Sequence, residues 1–154
     1  MNREYTKEEL LKSLDNLVNS GNEYTRYSVA EQGYGLDRLI DDNSNIVRAT
    51  VASMGYGLDK LIEDEDANVR AVVARQGYGL DKLIDDDSWL VRAAVASMGY
   101  GLDILINDKN KLTREIAEST LYKINKTTVK SIKDPEPQIK SYHGIMQKFE
   151  DLES

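Results

Sequence analysis

The chain has 154 residues, enough for one domain with its own core, and a formal net charge of −7. It has no cysteine, which excludes disulfide staples, thiolate metal sites and thiol nucleophiles. The charge is uneven: residues 41–108 hold 13 acids against 6 bases, residues 1–40 hold 7 against 5, and residues 109–154 hold 7 against 9. An acidic body repels phosphate backbones, which argues against direct nucleic-acid binding. No stretch nears the roughly 18 apolar residues of a membrane span. Met1 to Tyr5 lead into no apolar run of the secretory kind. A cytoplasmic location and no membrane contact are expected.

The first element is predicted from a capping box, Thr6-Lys7-Glu8-Glu9, with Thr6 as the cap. Leu10, Leu11, Leu14, Leu17 and Val18 continue it as an amphipathic stripe ending near Gly21. Residues 1–21 are therefore read as an N-terminal capping helix, set over the open end of a repeat array that starts at Asn22.

Gly-Tyr-Gly-Leu-Asp occurs four times in that array, starting at Gly33, Gly55, Gly77 and Gly99, always 22 residues apart. The same step links Arg26, Arg48, Arg70, Arg92 and Arg114. It also links Val29, Val51, Val73 and Val95, and the Leu-Ile pairs from Leu39-Ile40 to Leu105-Ile106. Fixed-period self-similarity marks a stack of small supersecondary units. A weaker 44-residue period matches Ser53-Met54 to Ser97-Met98, as if a two-unit block had been duplicated.

Asn22, Ser44, Asp66, Ser88 and Asn110 share the spacing, and each is a good N-cap residue. A helix is expected after each one. In the second unit it runs from about Asn45 to Met54, with Ile46, Val47 and Val51 as its apolar residues and Ala49 and Ala52 as small neighbours. Gly55 suits a left-handed C′ position. Tyr56-Gly57 turns the chain, and Leu58, Leu61 and Ile62 predict a second helix of about two turns. Neither helix can bury its stripe alone, so the units must stack.

Asp42 to Arg48, Asp64 to Arg70, Asp86 to Arg92 and Asp108 to Arg114 repeat one Asp-to-Arg interval. This pattern resembles HEAT repeats, where the resemblance implies a stacked Asp/Arg ladder. The string Asp-Ala-Asn-Val-Arg-Ala-Val-Val-Ala at 66–74 looks more like the leucine-rich repeat variant family. That resemblance covers about residues 19–124. It implies a right-handed solenoid alternating a short 3₁₀-type helix with an α-helix, and a general binding role. The Asn-Pro turn of that family is replaced here by Gly-Tyr-Gly. Ser20 stands where the first ladder Asp would fall, and Thr113, Ala117 and Glu118 replace Val, Val and Ala in the last unit.

Beyond the repeats, Thr127 to Lys133 is β-branched and basic, and reads as a short strand or an extended linker. Asp134-Pro135-Glu136-Pro137 breaks any helix. Ile139, Tyr142, Ile145, Met146, Phe149 and Leu152 then recur at helical spacing. They form either a capping helix or an arm that docks on a partner or a second copy.

Several features bear on function. The five arginines suit either a structural ladder or phosphate recognition, and the Asp paired with most of them favours the ladder. Tyr34, Tyr56, Tyr78 and Tyr100 suit either packing over neighbouring turns with the hydroxyl hydrogen-bonded, or a stacking surface for bases or a peptide, and strict repetition favours packing. Trp89 fills a slot held by Glu23, Asn45, Ala67 and Lys111 elsewhere, and is either a partner contact or a local packing residue. Asp41, Glu63, Glu65, Asp85 and Asp87 form an acidic ridge that is either simply solvated or faces a basic partner. No EF-hand loop, nucleophile motif or phosphate loop appears, and His143 belongs to no motif.

The expectation is an all-α right-handed solenoid of about five units. Its organisation is a capping helix at 1–21, a repeat array at 22–124 and an extension at 125–154. The expected role is a non-enzymatic protein-interaction module without cofactor or metal, contacting a partner through Trp89, Asp41, Glu63, Glu65, Asp85 and Asp87. The alternative is a small acidic inhibitor that mimics nucleic acid and occupies a basic nucleic-acid-binding protein. A repair glycosylase of the HEAT-like kind ranks last, because it needs a basic surface.

Overall fold

A computed structural model describes residues 4–133, and these are all-helical. Thr6 starts α1 (Lys7–Val18) through a complete capping box: Glu9 N donates to Thr6 Oγ1 at 3.2 Å and Thr6 N donates to Glu9 Oε2 at 3.0 Å. Four nine-residue helices come next at the repeat spacing: α2 (Glu23–Glu31), α4 (Asn45–Ser53), α6 (Ala67–Arg75) and α8 (Trp89–Ser97). Between them lie α3 (Leu36–Leu39), α5 (Leu58–Leu61), α7 (Leu80–Leu83) and α9 (Leu102–Leu105). α10 (Lys111–Lys133) closes the series. The long helices stack in chain order, α2, α4, α6, α8 and α10, with each short helix set between its neighbours and α1 packed against α2.

Each long helix begins where the cap residues predict. Asn22, Asp66 and Asn110 accept from backbone N–H groups two residues on. Ser44 and Ser88 make no such bond. There the corner is held one step earlier, by Asp42 and Asp86 accepting from the N–H groups of those serines.

Each long helix of the repeats ends in a glycine cap. At the second unit, Gly55 N donates to Ala52 O at 2.9 Å and Tyr56 N donates to Val51 O at 3.3 Å, the paired bonds of a Schellman turn. Two residues on, Gly57 also has a left-handed backbone, at φ +61. A Cβ built there would lie 2.1 Å from Ile40 Cδ1 of the preceding unit. The second glycine of each turn is thus the socket for the preceding β-branched side chain, Val18 at Gly35 and Ile40, Ile62 and Ile84 at Gly57, Gly79 and Gly101, and it joins units as well as turning the chain.

The short helices have four residues each, one turn rather than the expected two. Asp64 explains the early stop. Its carboxylate accepts from Asp66 N at 2.9 Å and is held by Arg48, which pulls the chain into the corner just past Ile62.

The core runs the length of the stack: Val47, Val51, Val69, Val73, Val91 and Val95 are fully buried, beneath Leu39, Leu61, Leu83 and Leu105. Ile46 is not part of it, being 52% exposed. Thr113 and Ala117 replace valines in α10 yet are also fully buried, so the last unit keeps the core with smaller side chains.

The expected strand or linker at 127–133 is instead the end of α10, which runs through the boundary expected at 124/125. Its threonines are accommodated because Thr127 Oγ1 donates to Lys123 O at 2.9 Å and Thr128 Oγ1 to Ile124 O at 3.0 Å. Asp134–Pro137, the stripe from Ile139 to Leu152, and His143 lie outside the described residues.

Candidate functional site

The Arg and Asp series meet in an inner ladder. Arg48 grips Asp64 with both forks, Nε to Oδ2 at 2.7 Å and Nη2 to Oδ1 at 2.9 Å, while Nη1 donates to the backbone carbonyl of Asp42 at 2.9 Å. Arg26, Arg70 and Arg92 repeat this with Asp42, Asp86 and Asp108. The carboxylate therefore comes from the corner 16 residues later, and the Asp six residues earlier supplies only its carbonyl. That is why Ser20 can stand for Asp in the first unit: Arg26 Nη1 needs only its carbonyl, at 2.7 Å. Arg114 has the Asp108 carbonyl at 2.6 Å but no carboxylate partner among the described residues.

These groups are engaged with one another. Burial works against the charge on Asp42 and Asp86, but hydrogen bonds from Arg26 and Ser44, and from Arg70 and Ser88, outweigh it and hold both carboxyls below the usual range. The Arg92 hydrogen bond does the same for Asp108. The inner ladder is structural, and offers a ligand little free charge.

A second, outer series runs along the short helices. Arg38 Nη1 meets Asp15 Oδ1 at 2.6 Å, Lys60 meets Asp41, and Lys82 meets Glu63. Two of the ridge acids, Asp41 and Glu63, are thereby neutralised. The next step pairs Asp85 with position 104, which is Ile104, 59% exposed. Asp85 has no ion pair or hydrogen bond among the described residues and is exposed. Glu65 reaches only to within 3.6 Å of Arg48 Nη2 and its side chain is 90% exposed. Asp87 gives its carbonyl to Arg92 and leaves its carboxylate to solvent. Trp89 opens α8 on the same corner and is 41% exposed, with its carbonyl accepting from Thr113 Oγ1 at 3.2 Å. The fourth corner thus carries two exposed acids without an ion pair, Asp85 and Asp87, with an exposed Trp89 at the start of α8 and an exposed Ile104 on α9.

One surface was missed by sequence reasoning. The series that starts at Tyr24, read at the 22-residue step, is Tyr24, Ile46, Asn68, Leu90 and Leu112, and lies on the outer face of the long helices. Tyr24 is 78% exposed, Ile46 52% and Leu112 46%. Between α4 and α6 this face holds a shallow groove of about 330 Å³ lined by Ile46, Ala49, Thr50 and Val72 among others. The series was legible in the sequence, but the valine beside it in most units made the whole run look like core.

Tyr34, Tyr56, Tyr78 and Tyr100 do line one edge, 41–52% exposed, and their hydroxyls make no hydrogen bond among the described residues. The expected hydroxyl bonds are therefore absent, while the rings keep about half their surface covered. No group of three His, Asp or Glu side chains among the described residues could hold a metal ion. No described helix is long and apolar enough to cross a membrane. Comparison with protein-family models, curated proteins and solved structures gives no match.

Proposed function

We propose that this chain is a non-enzymatic protein-interaction module, a right-handed α-solenoid of about five units similar to the leucine-rich repeat variant family. Its contact surface is the fourth corner, formed by Asp85, Asp87, Trp89 and Ile104. The observation that carries this reading is the break in the outer ion-pair series. The two preceding steps of this register set Lys60 beside Asp41 and Lys82 beside Glu63, whereas at the next step the residue is Ile104 and Asp85 keeps no cation. A solvated surface gains nothing from replacing Lys with an exposed Ile, and a binding surface gains an apolar anchor beside a free charge. The partner presents a basic group next to an apolar or aromatic one. Glu65 extends the same charge along the ridge.

Capture of partners from lysate at low and high salt, with Trp89→Ala alongside, tests this. A partner held in high salt and lost with Trp89→Ala supports the module. A basic nucleic-acid-binding protein released by salt, with Trp89→Ala harmless, supports the acidic decoy instead. The decoy reading is the weaker one because six ridge and corner acids, Asp41, Asp42, Glu63, Asp64, Asp86 and Asp108, already face a cation of this chain.

A further inference from the structure

The two ends of the stack are built differently, and the described residues leave the N-terminal end open. Shifted by 22 residues, Leu14, Leu17 and Val18 of α1 fall on Leu36, Leu39 and Ile40 of α3. Val18 also fills the Gly35 socket, as Ile40 fills that of Gly57. The last turn of α1 therefore takes the place of a short helix, and the described residues before it do not form the long helix that precedes the other short helices. Exposure records the gap. Leu39, Leu61, Leu83 and Leu105 are each 2% exposed, but Leu17 is 43% exposed. Thr50 and Ala94 are buried and Val72 and Ile116 half-buried, but their equivalent Ser28 on α2 is exposed. The space where the missing helix would lie is a groove of about 530 Å³ between α1 and α2, floored by Leu14, Leu17, Thr25, Ser28 and Val29 and rimmed by Tyr24.

The other end is closed. Ala30, Ala52, Ala74 and Ala96 are fully buried where each long helix meets the next, and in α10 that position is Glu118, exposed. Ala71 and Ala93 are likewise buried, and their equivalent is Glu115, which pairs with Lys111 at 3.4 Å. A further helix stacked on α10 would bury these charges.

We infer that the vacant long-helix seat between α1 and α2 takes α1 of a second copy, forming a two-fold dimer through the N-terminal ends. α1 supplies an apolar stripe not covered by the other described residues: Leu10 is 52% exposed and Leu11 54%, beside Leu17. Head-to-tail stacking would set Glu115 and Glu118 against the leucines, so the contact that buries the seat is N-terminal end to N-terminal end. Such an isologous contact closes at two copies and does not grow into a fibre. Charge agrees with the placement. Residues 1–40 carry a net −2, against −7 for residues 41–108, so copies repel less at this end than along the array. The seat lies at the opposite end of the stack from Trp89 and is independent of the fourth corner.

The test is the mass of the full chain in solution over a concentration series, by sedimentation or light scattering, with Leu11→Glu, Ser28→Arg, Trp89→Ala and Leu112→Glu beside it. The chain is expected to dimerise, with Leu11→Glu and Ser28→Arg each weakening self-association by about tenfold or more. Trp89→Ala and Leu112→Glu are expected to leave it unchanged. Leu11 and Ser28 are exposed, so all four variants should melt with the parent chain. Because the chain has no cysteine, Leu11→Cys gives a second reading: mild oxidation should yield covalent dimers, and Leu112→Cys should not. A chain that stays monomeric throughout overturns the inference. So does a dimer indifferent to both Leu11→Glu and Ser28→Arg, which would assign the contact to another segment, residues 139–152 included. An intact dimer together with no captured partner that depends on Trp89 sinks the proposed function and leaves this inference standing.

Discussion

Arg70 closes two corners at once: Nε and Nη2 hold both carboxylate oxygens of Asp86 at 2.7 and 2.9 Å, and Nη1 donates to the Asp64 carbonyl at 2.7 Å. Arg70→Ala leaves a largely buried carboxylate without its counter-charge, and should lower stability by about 3 kcal/mol in urea titrations. Arg114→Ala should lose only about 1 kcal/mol, since a single carbonyl bond is removed. Equal losses at the two sites, or a stable Arg70→Ala that fails to bind a partner, would refute the structural reading of the ladder.

The same ladder sets the acid limb of stability. Asp42, Asp86 and Asp108 are held below the ordinary carboxylate range when folded, through Arg26, Arg70 and Arg92. In the unfolded chain they return to about 3.9, so the unfolded state binds more protons at low pH. Stability should be level above about pH 5, and should fall as pH drops through the unfolded value towards the lowered folded values. Thermal melts from neutral to acid pH check this. Asp86→Asn should start less stable and lose less on acidification.

Gly57→Ala probes the socket between units. The added Cβ meets Ile40 Cδ1 at 2.1 Å, and the backbone is left-handed at φ +61. The loss should be about 3 kcal/mol, from strain and overpacking together. Adding Ile40→Ala should recover the overpacking part. Gly55→Ala, at φ +73 with nothing near the new Cβ, should show the strain alone, about 1 kcal/mol. If Gly55→Ala and Gly57→Ala are equally destabilised, Ile40 is not seated as described.

Ile104→Lys restores the missing cation beside Asp85. An exposed pair contributes at most about 0.5 kcal/mol, so the melting temperature should barely move. Partner binding at the fourth corner should fall, because the variant neutralises Asp85 and removes the apolar anchor together. Unchanged binding would remove this corner from consideration.

Much of the helix pattern is local, and local patterns are readable in a chain. The capping box at Thr6, the starts after Asn22 and Asp66, and the glycine ends at Gly33 and Gly55 depend on hydrogen bonds within six residues. So the element order and the stacked core, repeated at a constant interval, follow from the amino-acid sequence. Thr127 to Lys133 misled because β-branched residues favour strands on average, whereas here each described threonine hydroxyl finds a carbonyl one turn back.

Contacts between units belong to the tertiary structure alone. Which Asp faces Arg48 depends on how successive corners superpose, so the partner is Asp64 rather than the nearer Asp42. Whether Ile46 is core or surface depends on the rotation of α4, and the neighbouring Val47 takes the buried place. The freedom of Asp85 appears only when Lys60 and Lys82 are seen beside Asp41 and Glu63. Composition and spacing determined that these helices form and stack. The rotation of each helix against the next decided which of their side chains remain for another molecule, because burial is a property of neighbours and not of the residue itself.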